Sequence, residues 1–275
     1  MKGDHDRAIA DCTKAIRLNP SDASSYSTRG ESYSMKGDLD RAIADCTEAM
    51  RLDPTNWLSH ISRGSAYYMK GHYNRAIADC TEAMRLDPTN WLSHFSRGEA
   101  YRKKGHYNRA IADYTEAIRL NPSYASAYSG RGESYRMKGD NDRAIADCTE
   151  AIRLNPSGAS SYSTRGKSYR MKGDHDRAIA DCTEAIRLNP SDASSYSTRG
   201  ESYRMKGDND RAIADCTEAM RLDPTNWLSH FSRGSAYRQK ANFASAVADL
   251  TEALRLNPGW QGGSDALEMA KRGQR

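Results

Sequence analysis

Apolar positions recur along the chain in two alternating patterns. Between Ala23 and Lys36, Tyr26, Gly30 and Tyr33 fall four and three residues apart, the stripe of an amphipathic helix. From about Asp38 to Leu52, Ala42, Ile43, Cys46, Ala49 and Met50 line one face of a second helix. Gly37 followed by Asp38 breaks and restarts the chain between them. Asp53 and Pro54 end the second helix, because proline donates no backbone hydrogen bond and biases the residue before it away from helix. The same stop recurs at Pro20, Pro54, Pro88, Pro122, Pro156, Pro190, Pro224 and Pro258, each 34 residues after the last, so one motif is copied in tandem. A unit of this length cannot bury its own apolar face and stacks on its neighbours. The predicted fold is therefore all-α, a quasi-one-dimensional solenoid of tandem helix pairs.

The register divides the chain into a second helix of an incomplete first repeat at 3–18, seven complete units at 21–258, and a capping helix with its tail at 259–275. The last of these is read as a short helix from Ser264 to Arg272. Met1 aligns with Met171, so the chain enters in mid-repeat, as a piece of a longer array or as a protomer whose opening helix something else completes. Small residues at fixed places, Gly30 with Ala42, Gly64 with Ala76 and Gly98 with Ala110, let the paired helices approach closely. Residues 1–68 recur as 171–238 with changes only from Lys14 to Glu184, Ser34 to Arg204, Leu39 to Asn209, Ile61 to Phe231 and Tyr68 to Arg238. Identity between repeats thus records the copying of a five-repeat block, not functional constraint.

The succession Tyr26, Gly30, Tyr33, Ala42, Cys46, Ala49, Pro54 resembles the pattern of the tetratricopeptide repeat family, and the resemblance runs over residues 3–258. It implies a right-handed superhelix of antiparallel helix pairs whose concave face, lined by the first helix of each pair, binds peptides or protein segments. Three departures stand out. Arg29, Arg63, Arg97, Arg131, Arg165, Arg199 and Arg233 occupy the usual leucine position, His60, His94 and His230 replace the opening aromatic, and the late aromatic is mostly cysteine. The family's carboxylate clamp for acidic chaperone tails uses Lys and Asn on first helices. Here the corresponding pairs are Ser27 and Glu31, Ile61 and Ser65, and Phe95 and Glu99, which cannot form it.

By the family's geometry, Leu58, Ile61, Leu92 and Phe95 face the groove, with Trp57 and Trp91 near its rim. Exposed there, they would anchor an apolar peptide; the other reading is that they pack between repeats. A polar row follows. Arg102, Arg136, Arg170 and Arg204 share one repeat position, with Glu99, Glu133, Lys167 and Glu201 three residues earlier on the same helical face. The glutamates pair with the arginines or the row contacts a ligand. Lys167 beside Arg170 removes one compensating charge and makes the middle of the array the place for an acidic contact.

The arginines ahead of the glycines call for partners near the core. Asp45, Asp79 and Asp113 recur on second helices, which predicts a structural ladder from Arg29, Arg63 and Arg97, for example Arg63 with Asp79 or with Asp45. Such pairs specify stacking register more than they add stability.

Cys12, Cys46, Cys80, Cys148, Cys182 and Cys216 share one position, and copies in consecutive repeats stand about 10 Å apart, too far for a disulfide or a shared zinc. They read as core thiols, with Tyr114 and Leu250 in the same slot, and unpaired thiols favour a reducing, cytoplasmic compartment. The histidines are likewise a repeat apart, and no nucleophile has a base and an orienting acid beside it. No phosphate loop or metal-ligand spacing appears, so neither catalysis nor a cofactor is expected. Lys and Arg number 41 against 36 Asp and Glu, interleaved along the chain, which is the composition of solvated helix faces and argues against nucleic acid. No apolar run approaches the ~20 residues of a membrane span. Two function classes remain: an interaction scaffold for a protein or peptide, acidic or bearing apolar anchors, and a structural protein that self-assembles head to tail through its chain ends.

Overall fold

The computed structural model describes residues 2–259 and 262–273 and resolves two compact units, Met1–Lys138 and Gly139–Arg275. Unit 1 contains α1 (Lys2–Leu18), α2 (Ala23–Met35), α3 (Leu39–Leu52), α4 (Trp57–Met69), α5 (Tyr73–Leu86), α6 (Trp91–Lys103), α7 (Tyr107–Leu120) and α8 (Ala125–Met137). Each helix packs on the next. In addition α2 meets α4, α4 meets α6 and α6 meets α8, whereas among the described residues the odd-numbered helices of the unit do not meet one another. The first helices of the pairs therefore make the tighter row of this unit.

Unit 2 repeats the plan with α9 (Asn141–Leu154), α10 (Ala159–Met171), α11 (His175–Leu188), α12 (Ala193–Met205), α13 (Asn209–Leu222), α14 (Trp227–Gln239), α15 (Phe243–Leu256) and α16 (Gly263–Gly273). Here α10, α12, α14 and α16 form the corresponding series. The described residues contain no strand, and the fold is the all-α stack of helix pairs that the periodicity predicts.

The helix limits follow from local chemistry. Gly37 sits at φ +81°, which a residue without Cβ adopts at little cost, and the turn then leads to Asp38, whose carboxylate accepts a hydrogen bond from the Arg41 backbone N–H. At the far end Asp53 is extended and its carboxylate accepts from the Thr55 backbone N–H, after which Asn56 caps α4 by accepting from Leu58 and Ser59. Packing explains the small residues. A Cβ on Gly30 would lie 2.7 Å from Cys46 Sγ and 3.2 Å from the Ala42 carbonyl oxygen, so only glycine lets α2 rest on α3. Ala42, Cys46 and Ala49 are fully enclosed, as are their equivalents Ala110, Tyr114 and Ala117 on α7.

The end of unit 2 is covered by α16, one residue longer at each end than the expected Ser264 to Arg272. It buries Ala270 against Ala246 and Leu250, with Phe231, Tyr237, Val247, Ala266 and Leu267 around them. Of the expected capping segment 259–275, residues 260, 261, 274 and 275 lie outside the described residues.

Candidate binding face of the first helices

The apolar positions singled out in the sequence divide on inspection of α4 and α6. Leu58, behind the Asn56 cap, is 39% exposed, and Trp57, Trp91, Leu92 and Phe95 are half-buried. Ile61 is only 5% exposed, which corrects the expectation that it faces an open groove: the α4 backbone turns it into the packing layer. Trp91 and Phe95 take the packing role, one of the two that the sequence leaves open. Trp91 lies 4.3 Å from the Tyr124 ring, and Phe95 meets Tyr124 edge-on at 4.9 Å and Tyr114 at 5.9 Å, so one side of each ring packs against the next repeat. The sequence does not mark Tyr124 as a partner, although it is an oddity at a position held in the other complete repeats by Asp, Asn or Gly.

The free side of Phe95 walls a cavity of about 230 Å³ between α4 and α6, lined also by Gly64, Ser65, Tyr68, Cys80, Ser96 and Glu99. Glu99 closes its polar end. Arg102 donates to it from Nη2 at 2.7 Å and Nε at 3.2 Å, Tyr68 donates from Oη at 3.3 Å, and Tyr114 Oη also donates. Burial pushes the Glu99 carboxyl upward, but these donors outweigh it and hold the group below the usual carboxylate range. The Tyr68 phenol moves the other way, pushed up to about 12 by burial and by the charge of Glu99.

The polar row resolves into neutralised and bare positions. Glu99 with Arg102, Glu133 with Arg136 and Glu201 with Arg204 form ion pairs at 2.7–2.8 Å. On α10, Lys167 takes the glutamate position, and neither it nor Arg170 has a carboxylate partner among the described residues. Arg170 Nε is shielded with no hydrogen-bond partner, and Nη2 reaches only Met171 Sδ at 3.2 Å. Arg238 on α14 shares this condition, with an unpartnered Nε above Ser235. The serine in the glutamate slot is the sequence signal that sets Arg238 apart.

Away from this face, Cys46, Cys80, Cys148, Cys182 and Cys216 are enclosed single thiols and Cys12 is half-buried. His60 and His230 are buried and His94 is half-buried; burial lowers the His60 pKa despite Asp79 nearby. Among the described residues no group of three or more His, Cys, Asp or Glu is placed to hold a metal ion, and no helix is long and apolar enough to cross a membrane.

Sequence models described as tetratricopeptide repeat match residues 12–44, 57–90, 95–159, 159–192, 193–226 and 229–259. The chain belongs to the tetratricopeptide repeat family. Among solved structures, this repeat chain is similar to one in the APC/C hetero-tetramer Cut9–Hcn1, with 20% identity and a TM-score of 0.77 over 95% of this chain and 52% of that one. It therefore spans about half the length of that relative. A tetratricopeptide repeat protein from Parabacteroides merdae matches at 21% identity and a TM-score of 0.64, covering 90% of this chain and 98% of that one. YrrB, described as having an unusual peptide-binding site, matches at 21% identity and a TM-score of 0.56, covering 69% and 97%. These likenesses concern the fold. A comparison with curated protein sequences finds no match.

The arginine departure from the repeat pattern has a definite geometry in this chain. Arg63 holds Asp79 of its own repeat through Nη2 at 2.7 Å and Nε at 2.9 Å, and its Nη1 donates to Thr47 on the second helix of the preceding repeat at 3.1 Å. Arg29 reaches Asp45 and Thr13, and Arg97 reaches Asp113 and Thr81, in the same way. Of the two carboxylates open to Arg63 from the sequence, it takes Asp79, not Asp45.

Proposed function

We propose that the chain is a non-enzymatic interaction scaffold that grips a protein or peptide segment along its first helices. An apolar side chain of the ligand enters the cavity beside Phe95, with Leu58, Leu92, Trp57 and Trp91 extending the apolar surface. A carboxylate of an acidic ligand pairs with Lys167 and Arg170 in unit 2. The arginines at 102, 136 and 204 are engaged by their glutamates and serve to hold the face in shape. The observation that carries this reading is the cavity of about 230 Å³, the size for one side chain rather than a small-molecule substrate, walled by an aromatic ring and bounded by hydrogen-bonding groups. The fold is typical of interaction scaffolds.

The test is selection of a random peptide library on the full chain, followed by affinity measurement of the selected peptides on Ser65→Leu, which fills the cavity from an exposed position. Binding should weaken by about tenfold or more with helicity unchanged. A library that yields no binder, or binders indifferent to Ser65→Leu, overturns the reading.

A second reading, head-to-tail self-assembly, draws on α1, where Ala8 and Cys12 are half-buried while their equivalents Ala42 and Cys46 are enclosed. Light scattering that grows with concentration supports it, and a monodisperse monomer at all concentrations removes it.

A further inference from the structure

Along the edge where first helices turn into second helices, most turns neutralise their own cations. The aspartate that caps the second helix pairs with the arginine three residues on, as in Asp38 with Arg41, Asp174 with Arg177 and Asp208 with Arg211. The aspartate two residues after the cap receives the lysine of the following turn, as Asp40 receives Lys70, Asp142 receives Lys172 and Asp176 receives Lys206. In two consecutive turns of unit 1 both acids are replaced, by His72 with Asn74 and by His106 with Asn108. Neither histidine makes a side-chain cap.

The cations remain. Lys104 donates to the neutral Asn74 Oδ1, and neither Arg75 nor Arg109 has a carboxylate partner among the described residues. Arg75 lies over the Tyr67 ring at 5.4 Å and Arg109 over Tyr101 at 5.5 Å, which fixes where the two guanidinium groups sit. Each turn opens a cleft, one of about 330 Å³ with Arg75 and Lys104 in its lining, the next of about 340 Å³ with Arg109 and Lys138. The corresponding cleft of the preceding turn is lined by Asp38 and Asp40 together with Lys36 and Lys70.

We infer that this edge of unit 1 docks an acidic segment of a protein partner, whose carboxylates stand where Asp38 and Asp40 stand in the neighbouring turn. The lysine and arginine positions are the ones that carboxylates satisfy elsewhere in the same chain, so the missing groups are acids of that size and reach. Consecutive turns are about 10 Å apart, close to the rise of three residues of polyproline II chain at about 3.1 Å each, which returns to the same side every third residue, so acids at positions i and i+3 serve both clefts. A single-stranded nucleic acid fits less well, because Tyr67 and Tyr101, the rings on which bases would stack, are covered by Arg75 and Arg109. This surface is on the turn edge and is independent of the first-helix face described above.

The experiment measures, by fluorescence anisotropy on the full chain, binding of a labelled peptide with aspartates at i, i+3 and i+6 in a Ser/Gly background, with labelled oligouridylate as the competing class. The variant His72→Asp/Asn74→Asp/His106→Asp/Asn108→Asp restores the acids that the chain's own other turns carry, so it folds, and it should weaken the peptide by about tenfold or more. The fourfold substitution should weaken the peptide to the same degree in a Lys167→Glu background, from which the first-helix carboxylate site is removed. Peptide affinity equal in the fourfold variant and the unaltered chain, an effect of the fourfold substitution that vanishes in the Lys167→Glu background, or tighter binding of oligouridylate than of the peptide would each overturn the inference.

Discussion

Tyr114 stands where Cys46, Cys80, Cys148, Cys182 and Cys216 stand in other repeats, and its ring reaches Gly98 on its own hairpin and Gly130 on the next first helix. A Cβ on Gly130 would lie 2.7 Å from Tyr114 Cζ. Other repeats carry Thr28, Ser62, Ser96, Thr164, Thr198 or Ser232 at the Gly130 position, so a larger residue in one helix is matched by a missing side chain in the next. Gly130→Thr alone should therefore destabilise the chain by about 2 kcal/mol through overpacking. Tyr114→Cys together with Gly130→Thr rebuilds the pairing used elsewhere and should recover most of that loss, a coupling that a double-mutant cycle in urea reads directly. Additive effects of the two changes would show that the ring and the glycine do not answer each other. Each departure was visible in the sequence, but their contact was not, because the repeat register compares residues 34 apart while this contact joins residues 16 apart.

The same offset of 16 residues governs the arginine ladder, in which one side chain on α4 ties α5 to α3. Asp79 is buried, and its carboxylate takes both arms of Arg63. Arg63→Leu restores the residue type usual for the family but leaves Asp79 buried without its cation, and should cost about 3 kcal/mol. Arg63→Leu with Asp79→Asn removes both charges and should return most of that stability, as measured by urea unfolding. A double variant as unstable as the single one would mean that the guanidinium acts through packing and not through its charge. The sequence led to the ladder but not to its partner, since Asp45 and Asp79 both lie on second helices adjacent to Arg63. Periodicity likewise put Ile61 on the same stripe as Leu58, and only the packing of α4 against its neighbours separates the buried residue from the exposed one.

For the molecule as a whole, the fold was legible because every local signal repeats: the prolines, the Gly-Asp turns and the small residues each specify the same hairpin many times over. The binding surfaces were less so, because they lie in the exceptions, such as Lys167, Ser235 and the His–Asn turns, whose meaning depends on which neighbour they fail to pair with. The repeated cysteines offer a way to ask whether the chain behaves as an array. Cys46, Cys80, Cys148, Cys182 and Cys216 are enclosed, and burial pushes the thiols of Cys46, Cys80 and Cys182 up to about 12 from 9.0. Since the folded pKa is raised, these thiols contribute stability that is full below about pH 9 and is lost as pH rises toward 12, because the unfolded chain ionises first. At pH 8 the thiolate needed for alkylation arises only where a repeat opens, so labelling followed by peptide mass spectrometry reports local opening at each site. Half-buried Cys12 should label first. If stability is a sum of repeat and nearest-neighbour terms, the five enclosed cysteines should follow at graded, distinct rates. Equal rates at all five would instead mark one cooperative opening, and the array would have to be treated as a single folding unit.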